Sequence, residues 1–198
     1  MNGTIAAVFT VLYLGISLYQ CRNYKLQVKD LAMCGIACAI TIVLSYIYVP
    51  LPTGATVTMG ASIPLIVLAI VFDYRLAIIA GWVCGILCMF LVPAWQPVHL
   101  AQIFVEHMVC LSCLGYAGRF GVQPKWRMTA GLALAFGLKL TGHILSGVVF
   151  FSTNAWDGWG AWGYSISYNV SSWLPEIILS AVIIHFIPWK ALKAALVK

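Results

Sequence analysis

A chain of 198 residues that is 63% hydrophobic and 8% charged has too few charges to build a water-soluble surface, since soluble domains carry about 25%. The bilayer is therefore its main solvent. Its apolar runs match the roughly 20 residues of a spanning helix, and it lacks the alternating segments of about ten residues that would mark a closed barrel. The net charge of +6 needs no nucleic acid to explain it, because the basic residues fall where membrane topology places them.

Seven apolar runs follow in chain order: residues 3–21, 31–49, 59–72, 76–92, 98–117, 128–151 and 173–187. The first is expected to be a retained helix, since Met1, Asn2 and Gly3 form no basic leader and no A-x-A-like site follows. The third is short and implies little tilt or a thinned bilayer. Arg22, Lys25 and Lys29 lie in the first connection, Arg75 in the third, and Arg119, Lys125 and Arg127 in the fifth; Lys190, Lys193 and Lys198 form the tail. The connections around Pro52, Pro93 and Trp156 hold no Lys or Arg. The basic side is expected in the cytoplasm, which puts the N-terminus outside and the C-terminus inside.

Of the seven cysteines, Cys34, Cys38, Cys84, Cys88, Cys110 and Cys113 sit inside runs and Cys21 closes the first. They read as small apolar packing residues, because no histidine or second C-x-x-C completes a four-ligand set.

Ionisable groups inside spans are costly and point to function. Glu106, His143 and Lys139 stand out, with His107 a weaker case. Glu106 and His143 each lie about eight residues below the outer end of their helix, roughly 12 Å deep at 1.5 Å per residue. His99, Gln102 and Glu106 share one helix face, and Lys139, His143 and Ser146 share another. Gly142 and Gly147 flank the second stripe and leave room for a ligand or a neighbouring helix. The plain alternative is that Glu106 pairs with Lys139 or His143 to hold helices together. His107 points about 100° away from Glu106, toward headgroups or another helix. His185 reads as interfacial.

The outward connection over residues 152–172 carries Trp156, Trp159, Trp162, Tyr164, Tyr168 and Asn169. Loops longer than about 12–15 residues are often functional, and aromatic faces bind cations and flat rings. A carboxylate beneath an aromatic lid suits a cationic heteroaromatic ligand. No nucleotide-binding loop or catalytic serine motif is present, so uphill movement would draw on a partner or an ion gradient. A metalloenzyme using His99, Glu106, His107 and His143 is a further reading, against which stands the absence of HExxH-type spacing.

Four segments carry a family resemblance: 52–60 (PTGATVTMG) with Ile63-Pro64-Leu65; Pro97-Val98 with Gln102, Glu106 and 114–118 (LGYAG); 143–151 (HILSGVVFF); and 164–169 (YSISYN) with Pro175-Glu176. Across about residues 29–187 the chain resembles the thiamine-specific substrate-capture subunits, or S components, of energy-coupling factor (ECF) transporters. The resemblance implies an all-α integral membrane protein in a prokaryotic plasma membrane. Residues 29–198 would form a six-helix substrate-binding domain, with residues 1–28 an extra transmembrane helix and its basic connection. It implies no catalysis and no cofactor, with thiamine as the transported ligand. The partners would be an energising module of one transmembrane coupling protein and two ATPase subunits.

By position Glu106 would hold the positive charge and the aminopyrimidine, and His143 would sit against the thiazolium. Tyr164 and Asn169 would bond the pyrimidine, and residues 52–59 would gate the pocket. Gly35 and Ala39 would offer a small-xxx-small docking face. The chain departs from the family where His107 follows the glutamate in place of a frequent tyrosine. It also has Phe151 where a tryptophan sometimes stands and Lys139 where arginine is common. Tryptophan is abundant over 153–162, and the first helix is extra. These differences leave open a thiamine precursor, another vitamin, or a carrier that works alone on an ion gradient.

Overall fold

The computed structural model describes residues 1–196, so Lys198 of the basic tail lies outside them. The helices are α1 (Asn2–Cys21), α2 (Val28–Ser45), α3 (Ile63–Val71), α4 (Tyr74–Leu91), α5 (Leu100–Gly118), α6 (Lys125–Phe150), α7 (Ala161–Phe186) and α8 (Trp189–Leu196). Among the described residues, α1, α2, α4, α5, α6 and α7 are long and apolar enough to cross a bilayer. Helix α3, with nine residues, is not.

The third run, 59–72, is therefore helical only over Ile63–Val71. It is preceded by a small antiparallel hairpin of β1 (Tyr48–Pro50) and β2 (Thr56–Thr58), which pairs Tyr48 with Thr58 and Pro50 with Thr56. The hairpin also ends α2 four residues before the predicted boundary at Val49. Gly54 at φ 82° and Gly60 at φ 86° bracket β2 with left-handed turns that residues with a Cβ rarely adopt. Pro64 then opens α3 without losing a helical hydrogen bond.

A larger difference concerns α7. The segment expected to be a 21-residue outer loop is helical from Ala161 onward, leaving a short connection that includes a 3-10 turn at Ser152–Asn154. Periodicity explains it. Ser165, Asn169, Ser172, Glu176 and Ser180 recur every three or four residues and are all buried. The helix turns its polar face inward, so no apolar run announces its first half.

Helix α5 is the irregular element at the centre. It passes from an α-turn at Leu100–Gln102 to a π-turn at Ile103–Met108, an α-turn at Val109–Ser112 and a 3-10 end at Cys113–Gly118. Its neighbours approach backbone to backbone. A Cβ on Gly85 of α4 would collide with the carbonyl of His107, and one on Gly81 with the backbone of Ser112. Glycine at such contacts is how helices gain dispersion contacts in lipid, where apolar burial drives nothing. Helix α1 packs on the outside of this centre. Its Tyr13 hydroxyl meets Ser112 Oγ at 2.7 Å, and Ser17 Oγ meets the Tyr116 hydroxyl at 3.1 Å. All seven cysteines are free.

Because Gly85 touches backbone that cannot move aside, Gly85→Ala is expected to destabilise the protein by about 1–3 kcal/mol. Gly137→Ala, whose Cβ meets nothing within 4 Å, should be neutral or stabilising by up to about 1 kcal/mol. Thermal unfolding of the two variants in detergent checks the difference.

Candidate functional site

One cavity of about 290 Å³ lies between β2, α5, α6 and α7. Glu106 comes from the π-turn of α5, and its carboxylate is fully engaged by neutral donors and one imidazole. Ser146 Oγ donates to Oε2 at 2.5 Å, Gln102 Nε2 donates to Oε2 at 2.7 Å, and His143 Nδ1 lies 3.2 Å from Oε1. The His143 ring is stacked on Trp173 at 4.3 Å between centroids and 23° between planes. Nε2 of His143 and Nε2 of His107 are both buried without a partner. Each such atom costs about 1–3 kcal/mol, so this wall rewards a polar guest that can reach it.

A second carboxylate sits beside the first. Glu176 of α7 is 1% exposed and accepts from Thr58 Oγ1 and Ser62 Oγ, each at 2.6 Å, and from the Ser62 amide at 3.2 Å. Lys139, 2% exposed, donates to Ser62 Oγ at 2.7 Å, lies 3.9 Å from Glu176 Oε1 and stands 3.9 Å from the centroid of Trp173. The two cancel in charge. A buried pair of this kind holds only because its remaining donors and acceptors are met. Lys139 thus serves Glu176 rather than Glu106, which corrects the alternative of a Glu106–Lys139 tie. Glu106 keeps no Lys or Arg partner among the described residues.

All six residues singled out for ligand contact line this one cavity: Glu106, His107, His143, Phe151, Tyr164 and Asn169. His107 does not point away to headgroups. It is buried, because the π-turn winds more widely than an α-helix and brings two consecutive side chains to the same space. His99 leaves the expected stripe; it caps α5 by accepting from the Ala101 amide and stacks on Phe150. Asn169 donates through Nδ2 to the carbonyls of Ser165 at 2.9 Å and His143 at 3.3 Å, which leaves Oδ1 for a guest. Gly147 also lines the cavity, and a Cβ there would strike Ser165 Oγ.

The lid differs in kind from a flexible aromatic loop. Tyr164 and Tyr168 project from helix α7, and Trp156 packs edge-on against Tyr164 at 5.2 Å and Trp159 at 5.1 Å. The tryptophans of the connection therefore stand behind the lining rings. Across the cavity the hairpin is held to α7: Ser172 Oγ donates to the Thr56 carbonyl, and the Tyr168 hydroxyl to the Gly54 carbonyl at 3.4 Å. Gly35 and Ala39 lie on an exposed face of α2, away from the cavity. The sequence reading missed Glu176, Trp173 and Ser62. The inward stripe from Ser165 to Ser180 was the available signal. Among the described residues, no three His, Cys, Asp or Glu side chains are grouped to hold a metal.

The sequence profile of the thiamine transporter protein family (Thia_YuaJ) matches residues 31–196. This chain belongs to the thiamine transporter family. Among similar proteins, the thiamine transporter ThiT of Bacillus subtilis (strain 168) is 22% identical over 167 residues, which cover 78% of this chain and 86% of that protein. A solved structure of ThiT from Listeria monocytogenes superposes with a TM-score of 0.68 at 25% identity, covering 78% of this chain and 90% of that one. The chain is thus a multi-pass membrane component of thiamine uptake and not an enzyme, which retires the metalloenzyme reading. Helix α1 lies before the matched residues.

Within this thiamine transporter fold the Lys139–Glu176 pair gives a clear test. Lys139→Met alone strands a buried carboxylate and should cost about 3–5 kcal/mol, whereas Lys139→Met with Glu176→Leu should recover most of that loss. Chemical denaturation in detergent measures both.

Proposed function

We propose that this chain captures thiamine from the outer side of the membrane and passes it inward when docked on a separate ATP-driven coupling module, as the S component of an ECF-type transporter. The observation that carries this reading is a carboxylate, Glu106, that lines the cavity, is bonded by Gln102, Ser146 and His143, and has no Lys or Arg partner among the described residues, since Lys139, which also lines the cavity, is paired with Glu176. A charge in such a place is stable only with compensation. The thiazolium of thiamine is a permanent cation and supplies it.

The other groups fit the rest of the ligand. Glu106 and Asn169 Oδ1 accept from the aminopyrimidine, the Tyr164 hydroxyl bonds its ring nitrogen, and His143, Phe151 and Tyr168 supply faces for the flat rings. His107 adds a polar contact where a relative would place tyrosine. The hairpin at 48–58 closes the cavity beside Tyr168 and Ser172 and opens to admit the ligand. The basic connections lie at the opposite end of the bundle, which the positive-inside rule puts in the cytoplasm, where an ATPase module would act. The exposed small residues Gly35 and Ala39 on α2 suit close helix docking onto the transmembrane coupling protein.

Glu106→Gln preserves shape and removes the charge. It is expected to weaken thiamine binding at least 30-fold, about 2 kcal/mol, read by quenching of tryptophan fluorescence on titration. Unchanged affinity would remove the proposed charge partner. Vesicles holding this chain alone should bind thiamine without accumulating it. Accumulation driven by an imposed proton gradient would instead favour a carrier that works alone.

A further inference from the structure

We propose that the opposite end of the bundle holds a specific anionic phospholipid, with its phosphodiester bound by Lys125, Lys190 and Lys193. A second hollow, of about 430 Å³, opens there between the start of α6, the end of α7 and α8. It shares no lining residue with the thiamine cavity. His185 and Trp173, one lining each hollow, are twelve positions apart on α7, roughly 18 Å along the helix.

Among the described residues, three lysines line this hollow and no acid does. Lys190 and Lys193 are three positions apart on one face of α8, and Lys125 begins α6 across from them. The acids of the chain are all engaged or placed elsewhere. Asp30 belongs to the capping box of α2, Asp73 is bound by Arg75 at 2.8 Å, Glu106 and Glu176 serve the other cavity, and Asp157 lies in the connection before α7. Like charges gathered without a counterion repel, and an anion among them relieves that repulsion. Helix α8 is pinned in place, since Trp189 is 8% exposed and donates through Nε1 to the Ile184 carbonyl at 3.1 Å. The lysines are therefore presented on a fixed frame.

The floor decides between a lipid and a free anion. Met128 and Trp189, both buried, give the hollow an apolar base beside its three lysines. Trp126 at 65% exposed and Phe186 at 84% exposed stand beside it, aromatic residues of the kind found at headgroup level. An acyl chain fits the base while its phosphate meets the lysines. Basic pockets at the cytoplasmic ends of membrane helices bind anionic headgroups in this way.

Native mass spectrometry of the full chain in detergent, with phosphatidylglycerol and phosphatidylcholine of matched chains, tests this site. Phosphatidylglycerol is expected to be retained about a hundredfold more strongly. The triple variant Lys125→Gln, Lys190→Gln, Lys193→Gln should lose that preference, and Lys193→Glu alone should lose part of it while still binding thiamine. Glycerol 3-phosphate should not displace the bound lipid. Equal retention of the two lipids, as expected if a protein partner fills the hollow instead, overturns the proposal. So does an unchanged preference in the triple variant, or displacement by glycerol 3-phosphate.

Discussion

The structure turns on an asymmetry between two carboxylates within the membrane. Glu176 has its own cation, Lys139, and two hydroxyls that fill the remaining valence of the pair. Glu106 has a glutamine, a serine and a histidine, donors that hold its shape without fixing its charge balance. Had Lys139 reached Glu106, the cavity would be electrically closed to a cation. Its commitment to Glu176 leaves Glu106 with no Lys or Arg partner among the described residues. The two networks are separate in charge yet joined through Trp173, which stacks on His143 and lies against the Lys139 ammonium.

That arrangement depends on backbone geometry that side chains alone could not provide. The π-turn of α5 delivers Glu106 and His107 together, and glycine contacts from α4 support it from behind. Glu176 reaches Thr58 and Ser62, so it anchors the base of the hairpin to α7. Farther along, the hairpin is held by two hydroxyl-to-carbonyl bonds at Gly54 and Thr56. A base fixed by a buried charge and a tip held by neutral bonds would suit a gate that swings about its root. Helix α1 ties into the same centre at Ser112 and Tyr116, and bracing α5 against lipid is what its contacts supply.

Much of this was legible in the sequence. Depth counting along two helices placed Glu106 and His143 at one level, and their side chains meet. What failed did so for identifiable reasons. The helical wheel that left His107 between headgroups and another helix assumed 3.6 residues per turn, and a π-turn leaves no periodic mark in six residues. The first half of α7 hid because serines, an asparagine and tyrosines fill its inward face, so the apolar run began only at Trp173. Glu176 was passed over because it sits one residue after Pro175, in a segment that reads as a helix start. A span's only acid, four positions from a buried serine on either side, was the cue. The role of Lys139 could not be read from one helix, since its partner lies on another.

The central claim is that the charge on Glu106 is matched to a charge on the ligand. Its most direct measure is a cycle of four affinities, pairing wild type and Glu106→Gln with thiamine and an uncharged isostere whose thiazolium nitrogen is replaced by carbon. Wild type should prefer the cation by at least tenfold, about 1.4 kcal/mol, and the variant should show no preference. The same preference in both proteins would contradict the account.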